Sequence, residues 1–278
     1  MPKGFISREP AEDYFASTGV SASQVRLYLK SPHLYHQQVV ERVPAKATSV
    51  AQQYGQLLHL WHERGPTAFW SAVSRAPASV CTATGNWGAK SKEWLDDQPD
   101  DAIPMCVSDH AQLRDQTAEI YENTAARDLI LKSDIREFVV RWNWSDGTEM
   151  RSRIDGRSGG IAYDLKTTRE TDPLNTWWKA VHSYRYDIQS VIYSAAMESI
   201  GYEAKPILFL VTSTVPPYPC HVVRLPESVL QGARALVDKV LIGIKQRTEW
   251  GNWYPDDYGT VTELRCPSFL NHTAFTEE

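Results

Sequence analysis

Glu137-Phe138-Val139-Val140-Arg141-Trp142-Asn143-Trp144 is followed by Ser145-Asp146-Gly147, by residues 149–155 and, after a stretch with three glycines (156–160), by Ile161-Ala162-Tyr163-Asp164-Leu165-Lys166. The first run is β-branched and aromatic, which suits a pleated, half-buried surface. Asp-Gly is a hairpin signal, because glycine supplies the positive φ that a tight turn requires. Residues 149–155 alternate and read as the returning strand. The whole segment predicts a meander of three antiparallel strands, and the rest of the chain is read outward from it.

Upstream, Ser21-Ala22-Ser23 opens a short helix, since a serine side chain accepts a bond from an early helical N–H. Ser31-Pro32 closes it, because the residue before proline avoids helical geometry. A second helix is expected over 49–63, with Leu57, Leu58 and Trp61 as its buried stripe. Residues 76–104 hold Pro77, Gly85, Gly88 and Pro104 and read as loop, with a short helix near 90–95. Ser108 is expected to cap a helix running to Asn123, and a further helical piece covers 125–132.

Downstream, a helix carries Tyr186, Ile188, Gln189, Ile192 and Tyr193. Pro206-Ile207-Leu208-Phe209-Leu210-Val211 is a nearly continuous apolar run, the mark of a central buried strand. A strand over 220–225, a long helix over 227–247 and an aromatic loop over 250–258 complete the chain. The order predicts an α/β fold with a mixed central sheet flanked by helices. Residues 1–20 are expected to form a flexible N-terminal arm and 21–278 a single domain.

The 278 residues carry a net charge of −5 and are 42% hydrophobic, ordinary values for a globular body. An acidic balance argues mildly against nucleic acid as partner, since phosphate binding is driven by Lys and Arg. A basic groove on an acidic protein escapes that argument. Cys81, Cys106, Cys220 and Cys266 form no CxxC pair, which supports neither a zinc site nor a disulfide framework. Met1-Pro2-Lys3-Gly4-Phe5 lacks the apolar core of a signal peptide, and no apolar run is long enough to span a bilayer. A soluble, cytoplasmic protein with no membrane partner is expected.

Asp164 and Lys166 lie two apart on one strand and therefore project to the same side. The preceding hairpin can bring Asp155 beside them. Three readings of two carboxylates and an ammonium are open at this point. One is a surface salt bridge, which contributes well under about 1 kcal/mol. A second is a proton-transfer pair. The third is a hard-cation site, because magnesium favours carboxylate oxygens and accepts a substrate phosphate as a further ligand.

Arg153-Ile154-Asp155-Gly156 followed by Tyr163-Asp164-Leu165-Lys166-Thr167-Thr168 resembles the PD-(D/E)xK nuclease core, most closely its RecB-like branch and the RecE (exonuclease VIII) type. Gly55-Gln56-Leu57-Leu58-His59 resembles that branch's G-x-x-x-H helix, and Gln189-Ser190-Val191-Ile192-Tyr193 its Q-x-x-x-Y helix. The segment from Ser23 through Ser31-Pro32 to Tyr35, and the tail Trp250-Gly251-Asn252-Trp253-Tyr254-Pro255, are similar to the ends of the same group. The resemblance implies a restriction-endonuclease-like fold and a bacterial or phage-encoded enzyme.

Carried over by position, it implies that Asp155, Asp164, His59 and the backbone carbonyl of Leu165 bind Mg²⁺ (Mn²⁺ as a substitute). Lys166 then acts on the attacking water or the scissile phosphate, while Gln189 and Tyr193, sharing a helix face, orient Lys166 or the DNA backbone. The implied reaction is hydrolysis of phosphodiesters in linear duplex DNA during recombination or repair. The implied partners are DNA ends, a single-strand annealing protein and further copies of the chain in a ring. Alternatives are an endonuclease or a single-strand or flap nuclease of the same fold, a non-catalytic DNA-binding protein, and a hydrolase of small phosphate esters.

Arg153, Thr167, Thr168, Arg169, Lys179 and Arg185, with Arg151, Arg157, Trp177 and Trp178, are candidates for gripping nucleic acid, because aromatics among basic groups stack bases and hold phosphates. A solvated face with two core tryptophans explains the same residues. Glu137 could reach the site, but its place at the start of a strand reads as solvent exposure. His59 and His62 lack the H-E-x-x-H spacing of a zinc protease. Some RecB-like relatives carry an iron–sulfur cluster on four cysteines; Cys220 and Cys266 lie too far apart, so none is expected. No G-x-x-x-x-G-K-[ST] motor motif is present.

Overall fold

The computed structural model describes residues 4–44, 50–254 and 258–261. Pro255 and Cys266, which enter the sequence reading of the tail and of the cysteines, lie outside the described residues. The chain opens with strand β1 (Phe5–Ser7) and helices α1 (Ala11–Ala16), α2 (Ala22–Lys30) and α3 (Pro32–Tyr35). Helices α4 (Val50–Arg64) and α5 (Pro66–Ala72), strand β2 (Val73–Arg75), helix α6 (Ser91–Asp96) and strand β3 (Ile103–Met105) follow. Helices α7 (Val107–Glu122) and α8 (Thr124–Leu131) lead into strands β4 (Ser133–Asn143), β5 (Glu149–Ser158) and β6 (Ile161–Thr168). Helices α9 (Pro173–Thr176), α10 (Trp178–Tyr184) and α11 (Tyr186–Ser199), strands β7 (Leu208–Ser213) and β8 (Cys220–Val223), and helix α12 (Glu227–Trp250) complete it.

The predicted meander is present: β4 pairs antiparallel with β5, and β5 with β6. Strand β7 then joins β6 in parallel, with Asp164 beside Phe209, and β8 returns antiparallel. The six-stranded order β1-β4-β5-β6-β7-β8 is therefore mixed, as the sequence order implied. Residues 5–7, within the segment read as a flexible arm, are built into the body. Phe5-Ile6-Ser7 lies antiparallel to Val139–Arg141 as an edge strand, because two apolar, strand-competent residues find an open ladder there.

The sheet is buried on both faces. One face packs Phe138, Val140, Trp142, Phe209 and Val211 against Ile188 and Ile192 of α11 and Val237 and Leu241 of α12. The other packs Tyr163, Leu165 and Leu210 against Leu58 and Trp61 of α4, Phe69 of α5 and Leu113 and Ile120 of α7. The alternation of Phe209 and Val211 against Leu210 shows why an unbroken apolar run is required: each side of β7 meets a helical layer. Among the described residues no helix is long and apolar enough to cross a membrane.

Local signals set several helix ends. Ser21 and Gln24 form a reciprocal capping box at the start of α2, and the Ser31 hydroxyl accepts the Leu34 N–H above Pro32. The Ser108 expectation is corrected. Helix α7 begins at Val107 with Cys106 as its N-cap, and the Ser108 hydroxyl instead donates to Asn86 at 2.9 Å.

One glycine is required by packing. A Cβ at Gly156 would collide with the ring of Tyr163 on the neighbouring strand, and that ring is fully buried, with its hydroxyl 2.6 Å from His62 Nε2. Gly156→Ala is expected to destabilise the fold by about 1–3 kcal/mol, the usual cost of overpacking a filled core. Urea unfolding monitored by tryptophan fluorescence measures it, and an unchanged midpoint would refute it.

Candidate active site

The hairpin register places three carboxylates in a row. Between the pairs Phe138↔Ile154 and Arg136↔Gly156, Glu137 stands opposite Asp155. The β5–β6 ladder ends at Gly156↔Tyr163, one step before Asp155 would face Asp164. The strands part there, and the Asp155 carboxylate takes the place of a ladder bond by accepting the Leu165 N–H at 2.7 Å. Like charges directly across a ladder are destabilising. The row Glu137, Asp155, Asp164 therefore calls for compensating partners beside it.

Two helical layers deliver the positive and polar partners. From α4, His59 Nδ1 lies 3.5 Å from Asp155 and 3.7 Å from Glu137. Gly55, one turn earlier, faces Thr167, so α4 lies close over the end of β6. From β6 itself, the Lys166 ammonium pairs with Asp164. From α11, Gln189 Nε2 donates to Asp164 at 2.6 Å, and the Tyr193 hydroxyl donates to the Arg153 carbonyl at 2.5 Å. Gln189 and Tyr193 thus share a face, as their spacing predicts. One steadies the carboxylate that pairs with Lys166, and the other the strand that carries Asp155.

Burial and mutual repulsion raise the Asp155 carboxyl well above the usual carboxylate range, with Asp164 the main neighbouring charge. Burial pulls the Lys166 ammonium down, but the Asp164 charge outweighs it and the group holds its proton more firmly than an ordinary lysine. His59 is 38% exposed. Burial of its ring works against charge, yet Asp155 and Glu137 together hold its imidazolium up to about 9. His62, fully buried and bonded to Tyr163, is pushed down to about 3 by burial and by the Arg136 charge, so it stays neutral.

The donor set fits a hard divalent cation. His59, Glu137 and Asp155 each offer an atom within 4.8 Å of the others. Glu137 Oε1 and Gln189 Oε1 are buried acceptors without a hydrogen-bond partner, a situation that costs about 1–3 kcal/mol each unless something fills it. A carboxylate-rich cluster with buried acceptor atoms to spare is the chemistry of a divalent metal site. Asp164, paired to Lys166, borders the same cluster.

Glu137 is the site residue that sequence reading placed in solvent. Its side chain is only 8% exposed and also holds Arg153 Nε at 3.0 Å. Its backbone has φ 44°, an uncommon conformation for a residue with a Cβ and one that clusters at functional positions. The signal was available: counting the hairpin back from the Asp146-Gly147 turn sets Glu137 across from Asp155.

The residues expected to grip nucleic acid divide in two. Arg153 is committed to Glu137, and Arg185 forms a two-point bond with Asp187 at 3.0 and 2.8 Å. The Thr168 hydroxyl accepts the Glu170 N–H and caps the strand end. Arg169 and Lys179 are exposed beyond β6 and on α10. Arg151 is buried and bonded to the Tyr14 and Ser17 carbonyls, a structural role. Trp177 is core, as the second reading of that pair had it, whereas Trp178 is exposed on the surface.

A mixed sheet between helical layers, with a carboxylate row closed by a D-x-K lysine, defines a nuclease fold of the PD-(D/E)xK class. Within that class, the chain belongs to the family described as PDDEXK-like domain of unknown function, whose model matches residues 21–254. A comparison with curated proteins gave no match. Among solved structures, the fold is similar to that of a "Putative exonuclease" from Eubacterium rectale. The TM-score is 0.64 over 94% of this chain and 97% of the other, at 14% identity. At that identity the likeness is one of fold.

Proposed function

We propose that this protein is a divalent-metal-dependent DNA exonuclease that hydrolyses phosphodiester bonds at the ends of linear duplex DNA, in recombination or repair. The observation that carries the reading is the cross-strand row Glu137, Asp155, Asp164, with His59 at one end and Lys166 at the other. The similar Eubacterium rectale protein, described as an exonuclease, points the same way.

Glu137, Asp155, Asp164 and His59 are the residues that would hold Mg²⁺ or Mn²⁺. Such an ion supplies Lewis-acid polarisation of a phosphate oxygen and acidification of a bound water. Lys166, a firmly protonated ammonium fixed by Asp164, donates to the phosphate oxygens where negative charge grows, a stabilisation that needs no reorganisation during the reaction. Gln189 and Tyr193 hold Asp164 and strand β5 in place. The site lies where β5 and β6 part, and a partly exposed His59 borders it, which suits a polymer substrate better than an enclosed small ester.

End-labelled linear duplex and closed circular DNA, each with Mg²⁺ and with EDTA, test this reading. Loss of the linear substrate alone, abolished by EDTA, is the expected result. Cutting of the circle would transfer the reading to an endonuclease, and no metal-dependent cleavage of either would overturn it.

A further inference from the structure

Tyr184, Tyr186 and Trp177 form a column of near-parallel rings beside the lysine. Trp177 and Tyr186 are 5.4 Å apart at 24°, and Tyr186 and Tyr184 are 5.7 Å apart at 28°. The inner end is anchored, because Trp177 is buried and meets Phe209 of the sheet edge-on. The outer end is open, with Tyr184 60% exposed. The Lys166 ammonium sits 5.0 Å from the centre of the middle ring. A stack rooted in the core thus passes the lysine and ends in an aromatic surface.

The backbone is built to make that stack. In a regular helix, residues two apart point to different sides. Arg185, between the two tyrosines, adopts φ 51° and ψ 52°, a left-handed conformation that side chains other than glycine, Asn and Asp seldom take. Its guanidinium bond to Asp187 and the Arg26 bond to the Tyr184 carbonyl at 2.8 Å fix it there. The turn brings Tyr184 round onto Tyr186. An exposed ring held this firmly has lost little entropy by further contact, which is the property of a good recognition surface.

We propose that Tyr184 is a base-stacking platform that takes an unpaired nucleobase of the strand being cut. The inference rests on the nuclease reading and names the form of DNA the site engages: a strand whose end nucleotides are out of the duplex. Every base has a π face, so an aromatic platform grips a strand without reading its sequence. The two spacings, 5.0 and 5.7 Å, put the Tyr184 ring about 11 Å or less from the ammonium. A stacked strand rises about 3.4 Å per nucleotide, so the base concerned lies within about three nucleotides of the phosphate at Lys166. Exposed Lys179, on the helix that ends in Tyr184, lies along the same segment.

The test is binding of a fluorescent single-stranded oligonucleotide in Ca²⁺, using a set of strands each lacking one base at a successive position, with cleavage in Mg²⁺ followed in parallel. For the unsubstituted protein, one abasic position near the cut end is expected to weaken binding by about 5- to 100-fold, the range of one base–aromatic stack. Tyr184→Ala should weaken the intact strand by the same factor and lose its sensitivity to that abasic position, and Tyr184→Trp should restore both. Equal binding by Tyr184→Ala and the unsubstituted protein, with cleavage intact, would overturn the platform and leave the nuclease standing. Absence of binding by the unsubstituted protein, together with no metal-dependent cleavage of linear duplex, would overturn the two together.

Discussion

Asp164→Asn is expected to slow metal-dependent DNA cleavage by about a thousand-fold or more, equivalent to about 4 kcal/mol at the transition state. The substitution conserves volume and leaves an oxygen to accept from Gln189, whose Nε2 lies 2.6 Å from the native carboxylate. What it removes is the charge, and two functions depend on that charge. One is the share of the carboxylate row that would hold the cation. The other is the fixed position of the Lys166 ammonium, which pairs with Asp164 and lies over Tyr186. Losing a carboxylate that would hold the cation and the placed ammonium together is costlier than losing either.

Removing one partner of a buried pair also leaves the other charge unmatched, so some of the loss could come from misfolding. The double variant Asp164→Asn/Lys166→Met removes both charges and should recover the native melting temperature while remaining inactive. Single-turnover cleavage of end-labelled duplex measures the effect. Activity of Asp164→Asn within tenfold of the unsubstituted protein would show that Asp164 serves structure alone.

The sequence discloses the fold through periodicity and turns. The alternation in residues 149–155 falls in β5, the Asp146-Gly147 turn joins β4 to β5, and the apolar run at 206–211 leads into β7. These signals are local, and each follows from which face of a strand meets a helix. The contribution of Phe5–Ser7 was not legible, because a three-residue strand is defined by the ladder it joins and has no period of its own. Asp155, Asp164 and Lys166 converge as their spacing suggested, whereas the partners of Gln189, Tyr193 and Arg153 depend on packing between helix and sheet that no local pattern encodes. Glu137 lies between these cases. Its register was readable, but its burial follows from a left-handed residue in mid-strand, which β-propensity does not anticipate.

Glu137 also carries the second large effect. Glu137→Gln is expected to weaken Mn²⁺ binding by about 10- to 100-fold, the range found when groups that hold or orient a metal ligand are lost. Glutamine keeps an oxygen for Arg153, which now bonds Glu137 Oε2 at 3.0 Å, so the strand pairing at Arg153 should survive. The free atom, Oε1, faces His59 Nδ1 at 3.7 Å and has no hydrogen-bond partner. Its charge is therefore available to a cation, and its backbone at φ 44° is a conformation that a residue with a Cβ seldom adopts. Titration calorimetry with Mn²⁺ separates two outcomes. A tenfold or greater loss places Glu137 among the groups that hold the ion. Unchanged affinity would assign it to the Arg153 ion pair and leave Asp155 and Asp164 to hold the ion with His59. The contrast with Arg153→Gln sharpens this, because that change frees both Glu137 oxygens without removing their charge. It should leave Mn²⁺ affinity within a few-fold of the native value if the carboxylate, and not its salt bridge, is what the cation requires.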